Sequence, residues 1–167
     1  MVHKTKGIVL RTVKYGETSI VVSLFTELFG MQSYMVNGIR QVSKKGASKG
    51  GYFQPGAFLD LVVYHNELKN LQRIKEYKWA HLFTHLFSDV LKNSVALFMV
   101  ELLAKCLKEP EPNNELFYFT EDALLHLDAG SKTVTANFPL FYALHLAVFF
   151  GFRIADDPSE EQHYLDL

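Results

Sequence analysis

Along the first 78 residues, apolar and polar side chains alternate in short runs, the period expected of strands with one buried face. Lys6–Val13 sets Ile8 and Leu10 against Val9, Arg11 and Val13. Tyr15-Gly16-Glu17 reads as a turn, and Thr18–Thr26 resumes with β-branched residues. After Leu28-Phe29-Gly30, Met31–Gly38 continues the pattern, giving three strands of an antiparallel meander. The texture changes from Ile39 to Gly56, rich in Gly, Ser and Lys and closed by Gln54-Pro55-Gly56, which is a loop composition. Ala57–His65 predicts a fourth strand and Leu71–Lys78 a fifth, with a turn at Asn66-Glu67. Five short strands with the longest connection after the third fit an OB-fold barrel. An SH3-like barrel fits the count nearly as well.

From Trp79 the apolar period lengthens to that of a helix. Trp79, Leu82, Phe83, Leu86, Phe87 and Val90 would share one helical face, and Val95, Phe98, Met99, Leu102, Leu103 and Cys106 a second. Glu109-Pro110-Glu111-Pro112 breaks the chain, and Asn113 is suited to cap the next helix. Leu116, Phe117, Thr120, Ala123, Leu124 and Leu127 form a third stripe that ends near Gly130. Phe138–Phe150 is apolar almost all round and ends at Gly151, so a fourth helix is expected at the centre of a bundle. The expected organisation is therefore mixed β then α: an OB-fold β-barrel over residues 1–78 and an α-helical bundle over 79–167. No flexible linker separates them, so they should pack together.

Composition narrows the function. The net charge is only −1, but 12 basic and 5 acidic residues lie in 1–78, against 5 basic and 13 acidic in 79–167. A basic N-terminal half suits a polyanionic partner. The single cysteine, Cys106, rules out an intramolecular disulfide and a Cys-rich zinc site. With no secretory leader at the start and no apolar run long enough to cross a bilayer, a cytoplasmic location is expected.

The loop Arg40-Gln41-Val42-Ser43-Lys44-Lys45-Gly46-Ala47-Ser48-Lys49-Gly50-Gly51 carries four cations and no anion on a glycine-loosened backbone. Such a segment can follow a phosphate chain, with Ser43 and Ser48 as further donors. Arg11 and Lys14 near the first turn, and Arg73 and Lys75 in the last strand, would border the same groove. OB folds take ligands across strands two and three. Tyr34, Phe25 and Tyr15 are candidate base-stacking platforms, Tyr34 foremost because its neighbours Gln32 and Ser33 are polar. Catalytic chemistry is not supported: His81 and His85 have helical metal spacing but lack the His-Glu-x-x-His glutamate, and no Walker motif or nucleophilic triad is present. Cys106 sits on an apolar stripe.

These residues carry a resemblance to a known family. Thr5-Lys6-Gly7-Ile8-Val9-Leu10, Tyr15-Gly16-Glu17, Phe25-Thr26 and Gly30 are similar to the opening of the RecO recombination mediators. Gly38-Ile39-Arg40 with its Ser/Lys-rich loop and Gln54-Pro55 before an apolar strand extend the likeness. So do Leu71 with Glu76, Glu101-Leu102-Leu103, and Glu109-Pro110-Glu111-Pro112-Asn113 with Leu116-Phe117. The resemblance implies a barrel that binds single- and double-stranded DNA, promotes strand annealing, and acts with RecR, the acidic tail of single-strand binding protein and RecA. It implies no cofactor or enzymatic step, and a nucleoid-associated location in a bacterium. The DNA-binding duty would fall on Arg11, Lys14, Arg40, Lys44, Lys45, Lys49 and Arg73. The four-cysteine zinc module of some relatives is missing, and the helical domain is expected to be incomplete. The acidic stretch Asp156–Leu167 is expected to pack poorly, with a role in shielding the barrel. The competing reading is a protein-interaction adaptor that uses the barrel only as a scaffold.

Overall fold

The computed structural model describes residues 1–39 and 49–152, with only the backbone described at Lys49. Five strands form a closed barrel: β1 (Val2–Tyr15), β2 (Ser19–Thr26), β3 (Gly30–Val36), β4 (Phe58–Tyr64) and β5 (Leu71–His81). Their order around the wall is β1-β2-β3-β5-β4, closing back on β1. All neighbours are antiparallel except β3 and β5, which pair in parallel through Ser33–Leu71, Tyr34–Gln72 and Met35–Arg73. This is the OB-fold arrangement, and it decides between the two barrels the strand count allowed. A short 3-10 helix, Lys49–Phe53, follows the basic loop. The rest of that loop, Arg40 to Ser48, lies outside the described residues, as does Asp156–Leu167 with its expected shielding role.

The barrel interior is filled by alternate residues of each strand, among them Val9, Val22, Leu24, Tyr34, Leu59, Leu61 and Val63. On β1 the alternation breaks. The pairing with β2 runs Val9–Leu24 and then Arg11–Ser23, leaving Leu10 without a partner in a β-bulge. The expected alternation grouped Arg11 and Val13 with Val9. The bulge reverses that parity: Thr12 now pairs with interior Val22, while Arg11 and Val13 stay exposed on the outer wall.

Three helices follow: α1 (Val90–Cys106), α2 (Asn114–Ala129) and α3 (Lys132–Phe149). Each is capped by a side chain. Asp89 accepts from the Leu91 and Lys92 N–H groups, Asn113 from Leu116, and Ser131 from Val134. At the far end of α3 the Gly151 and Phe152 N–H groups reach the Val148 and Ala147 carbonyls. With Gly151 at φ 89°, this is a Schellman termination. The helices lie on one side of the barrel, where Ile8, Leu10, Phe25 and Phe58 meet Leu86, Met99, Leu103 and Phe117 in a second core. The Phe117 ring sits edge-on to Phe25 at 5.5 Å and 6.1 Å from Phe58.

The structure corrects two helical expectations. No helix begins at Trp79. Strand β5 continues through Trp79 to His81, paired with β4, and residues 82–89 are turns until α1 begins. Phe83, Leu86 and Phe87 still reach the second core. Their spacing imitates a helix because a turn-rich segment dips into the core at similar intervals. The last helix is also not central. It buries Thr135, Phe138, Tyr142 and Leu146, while Leu140, Phe141, Leu144 and Val148 remain exposed.

The seam between barrel and helices is polar at one point. The Asp128 carboxylate, on α2, accepts from the backbone N–H groups of Thr84 (3.0 Å), His85 (2.7 Å) and Leu86 (2.7 Å). Lys92, as buried as Asp128 at 7% exposure, donates from Nζ to the Asp128 carbonyl at 2.6 Å. Burial pushes the Asp128 carboxyl up, and the three N–H bonds from His85, Thr84 and Leu86 outweigh it, so its pKa lies below the ordinary value.

Candidate nucleic-acid interface

Across β1, β2, β3 and β5, the side chains facing away from the barrel interior and clear of the helices form two registered rows. One row runs Arg11, Ser23, Ser33, Leu71, and the next runs Val13, Val21, Met35, Arg73. All are exposed or half-buried. The rows span three strand spacings, roughly 14 Å along the wall. A cation therefore stands at each end, Arg11 on β1 and Arg73 on β5, with hydroxyl and apolar groups between them. Lys14 is exposed at the far end of β1, opposite Ile20, and Tyr15 is exposed beside it.

None of Arg11, Lys14 and Arg73 forms an ion pair among the described residues, where the recorded pairs are Lys78–Asp60 and Lys105–Glu101. Their charge is not spent on the acidic helices. Of the other expected DNA-binding positions, Arg40, Lys44 and Lys45 lie outside the described residues. Lys49 opens the 3-10 helix that leads back to β4.

Two of the three expected stacking residues are corrected. Phe25 is fully buried in the core shared with the helices, and Tyr34 is fully buried inside the barrel, opposite Val22 and Gln72. Neither ring can meet a base. The polar neighbours of Tyr34 misled because a strand alternates: Ser33 points outward, so Tyr34 points in. Burial pushes the Tyr34 phenol well above its usual pKa.

The partly exposed flat rings on this side belong to residues the sequence reading passed over. Phe29, in the β2–β3 turn, and His65, after β4, stack with centroids 3.8 Å apart and planes 8° from parallel. Both line a groove of about 470 Å³ beside the rows, together with Ser23, Ser33 and Lys69. Pro110 and Pro112 of the α1–α2 connection form part of its wall. That wall is held close because Gly30, at φ 64°, lies against Glu111, whose carbonyl oxygen would be 2.2 Å from a Cβ there. The available signal was positional: an aromatic between a leucine and a glycine in a tight turn has less reason to be core than one within a strand.

The expected His81–His85 pair is not helical either. His81 ends β5 and His85 lies in the turns, and the described residues hold no group of three or more His, Cys, Asp or Glu arranged for a metal. Cys106 is a half-buried free thiol at the end of α1. No helix among the described residues is long and apolar enough to cross a membrane.

Comparison with known proteins agrees with the two-part architecture. A family described as Recombination protein O N terminal matches residues 1–83, and Recombination protein O C terminal matches residues 87–155. The chain is 36% identical over all of its 167 residues to a DNA repair protein RecO of Bacteroides fragilis, covering 68% of that protein. The chain belongs to the RecO family. It is also 38% identical over 160 residues to the DNA repair protein RecO of Flavobacterium psychrophilum, which covers 96% of this chain and 65% of that relative. The match to the Salinibacter ruber protein is 32% over 154 residues, covering 92% of this chain and 58% of the relative. The chain thus spans about two thirds of the length of the RecO proteins it resembles.

Proposed function

We propose that this RecO-family chain is a non-enzymatic recombination mediator that binds single- and double-stranded DNA on the outer β1-β2-β3-β5 wall. The carrying observation is the pair Arg11 and Arg73, exposed at the two ends of registered rows and not matched by a carboxylate. Ser23 and Ser33 lie between them, and the Lys44, Lys45 and Lys49 loop adds charge from the segment before β4. Binding energy would come mainly from counterion release and therefore tolerate any sequence. Strands held mainly by their backbones leave most base edges free, which is what annealing requires. RecR, the tail of single-strand binding protein and RecA are the proposed partners, on the strength of family membership.

A fluorescence anisotropy titration with single-stranded DNA at two salt concentrations tests this. Tight binding at low salt should fade steeply, and Arg11→Ala with Arg73→Ala should each reduce the log–log slope by about 0.7. Salt-independent binding, or slopes unchanged in both variants, would remove the wall from the mechanism. One observation favours the adaptor reading, the exposed apolar stripe Leu140, Phe141, Leu144 and Val148 on α3. That reading requires capture of a protein with no oligonucleotide binding.

A further inference from the structure

We infer that the groove between the β2–β3 face and the α1–α2 connection is a pocket for one unstacked nucleobase of a bound single strand, with Phe29 and His65 as its platform. This rests on the proposed binding of DNA to the adjoining wall. The groove opens where the strand would run: Ser23 on its lining is the register partner of Arg11, and Ser33 that of Leu71, two residues from Arg73. At about 470 Å³ it falls within the range of clefts that enclose small ligands, about 300–1,000 Å³.

Its chemistry favours a base over a phosphate. The two rings are flat, parallel and partly exposed, and Pro110 and Pro112 also line the groove, so a planar aromatic group entering it meets apolar surface. Glu67 also lines the groove and would repel a phosphate entering it, whereas Lys69 at the same rim can hold a phosphate outside. The Ser23 and Ser33 hydroxyls make no side-chain hydrogen bond to another described residue. A hydroxyl can donate or accept, so these groups can meet the edge of any base, in keeping with sequence-tolerant binding.

Three further contacts make the pocket rigid. His3 packs edge-on against Phe29 at 5.2 Å and supports the stack. The proline wall cannot withdraw without leaving Gly30, and Gln32 ties its amide to the Phe29 carbonyl at 3.1 Å. Burial, with His3 nearby, lowers the His65 pKa, which keeps the imidazole uncharged near neutrality.

The test compares the 167-residue chain on an oligothymidylate and on an abasic tetrahydrofuran oligomer with the same number of phosphates. The unmodified chain should bind the base-bearing strand at least about fivefold more tightly. Phe29→Leu keeps the apolar bulk, and His65→Ala removes the second ring without touching Phe29. Both should bring the ratio near one, with affinity for the abasic strand and the salt slope unchanged. Equal binding of the two strands by the unmodified chain, with the salt slope intact, would overturn the base pocket and leave phosphate binding standing. Equal losses on both strands in the variants would also overturn it. Absence of binding to either strand would overturn this inference and the reading beneath it.

Discussion

Removing the Asp128 carboxylate should loosen the helices from the barrel, and the size of the effect can be worked from its three bonds. Leu86 is fully buried, so in Asp128→Ala its N–H loses its acceptor with no water to replace it, at a cost of about 1–3 kcal/mol. The Thr84 and His85 N–H groups belong to exposed residues that water can reach, so each loses about 0.5–1 kcal/mol net. The total is about 3 kcal/mol. Asp128→Asn should lie between, because Oδ1 can still accept from His85 and Leu86 while an amide now faces the Thr84 N–H. The contribution is also pH-dependent. The folded pKa is depressed, so the stabilisation is complete above the unfolded value, about 3.9, and is lost as pH falls through the lower folded value. Urea melts of the chain and both variants at pH 7, repeated toward pH 3, give the measurement. The gap to Asp128→Ala should narrow at the acid end. A difference under about 0.5 kcal/mol at pH 7, as expected for exposed Asp122→Ala, would refute the reasoning.

Other outcomes are as definite. Phe117→Ala, which empties the contact between α2 and the barrel rings Phe25 and Phe58, should cost about 3–5 kcal/mol in a denaturant melt. Gly30→Ala should destabilise the fold and raise hydrogen exchange at the Glu111 amide, because a Cβ at φ 64° strikes the Glu111 carbonyl. Replacing Lys44, Lys45 and Lys49 together by alanine should flatten the salt dependence of oligonucleotide binding by about 2 log–log units, read from anisotropy. Phe25→Leu should lower the melting temperature and leave that slope unaltered, since the ring is core and meets no DNA.

Strand number, the approximate limits of β2, β3 and β4, and the caps at Asn113 and Gly151 were legible because each depends on residues adjacent in sequence. Period two marks a half-buried strand, and a cap needs only its own turn. What depended on partners was not legible. The parity of Arg11 turns on the bulge at Leu10, which exists only as a relation between β1 and β2. Tyr34 and Phe25 look alike in a strand sequence, yet one fills the barrel and the other meets Phe117 from outside. The run from Trp79 to Val90 carried a helical spacing that β4 overrode by pairing as far as His81. Local propensity yields to such long-range pairing. The charge asymmetry pointed to the barrel as the basic partner-binding part, but could not say which wall. Phe29 and His65, 36 positions apart, become neighbours only when the barrel closes.

The barrel is sealed by a brief parallel junction, three residue pairs between β3 and β5, whereas every other junction is at least twice as long. A cylinder so built has a preferred place to gape, and that place runs beside Met35 and Arg73. Transient parting there would change the curvature of the surface offered to a nucleic acid without breaking the helix contacts at Ile8, Leu10, Phe25 and Phe58. Amide exchange at Gln72 and Arg73 faster than at Val22 or Leu61 would be the sign of such breathing.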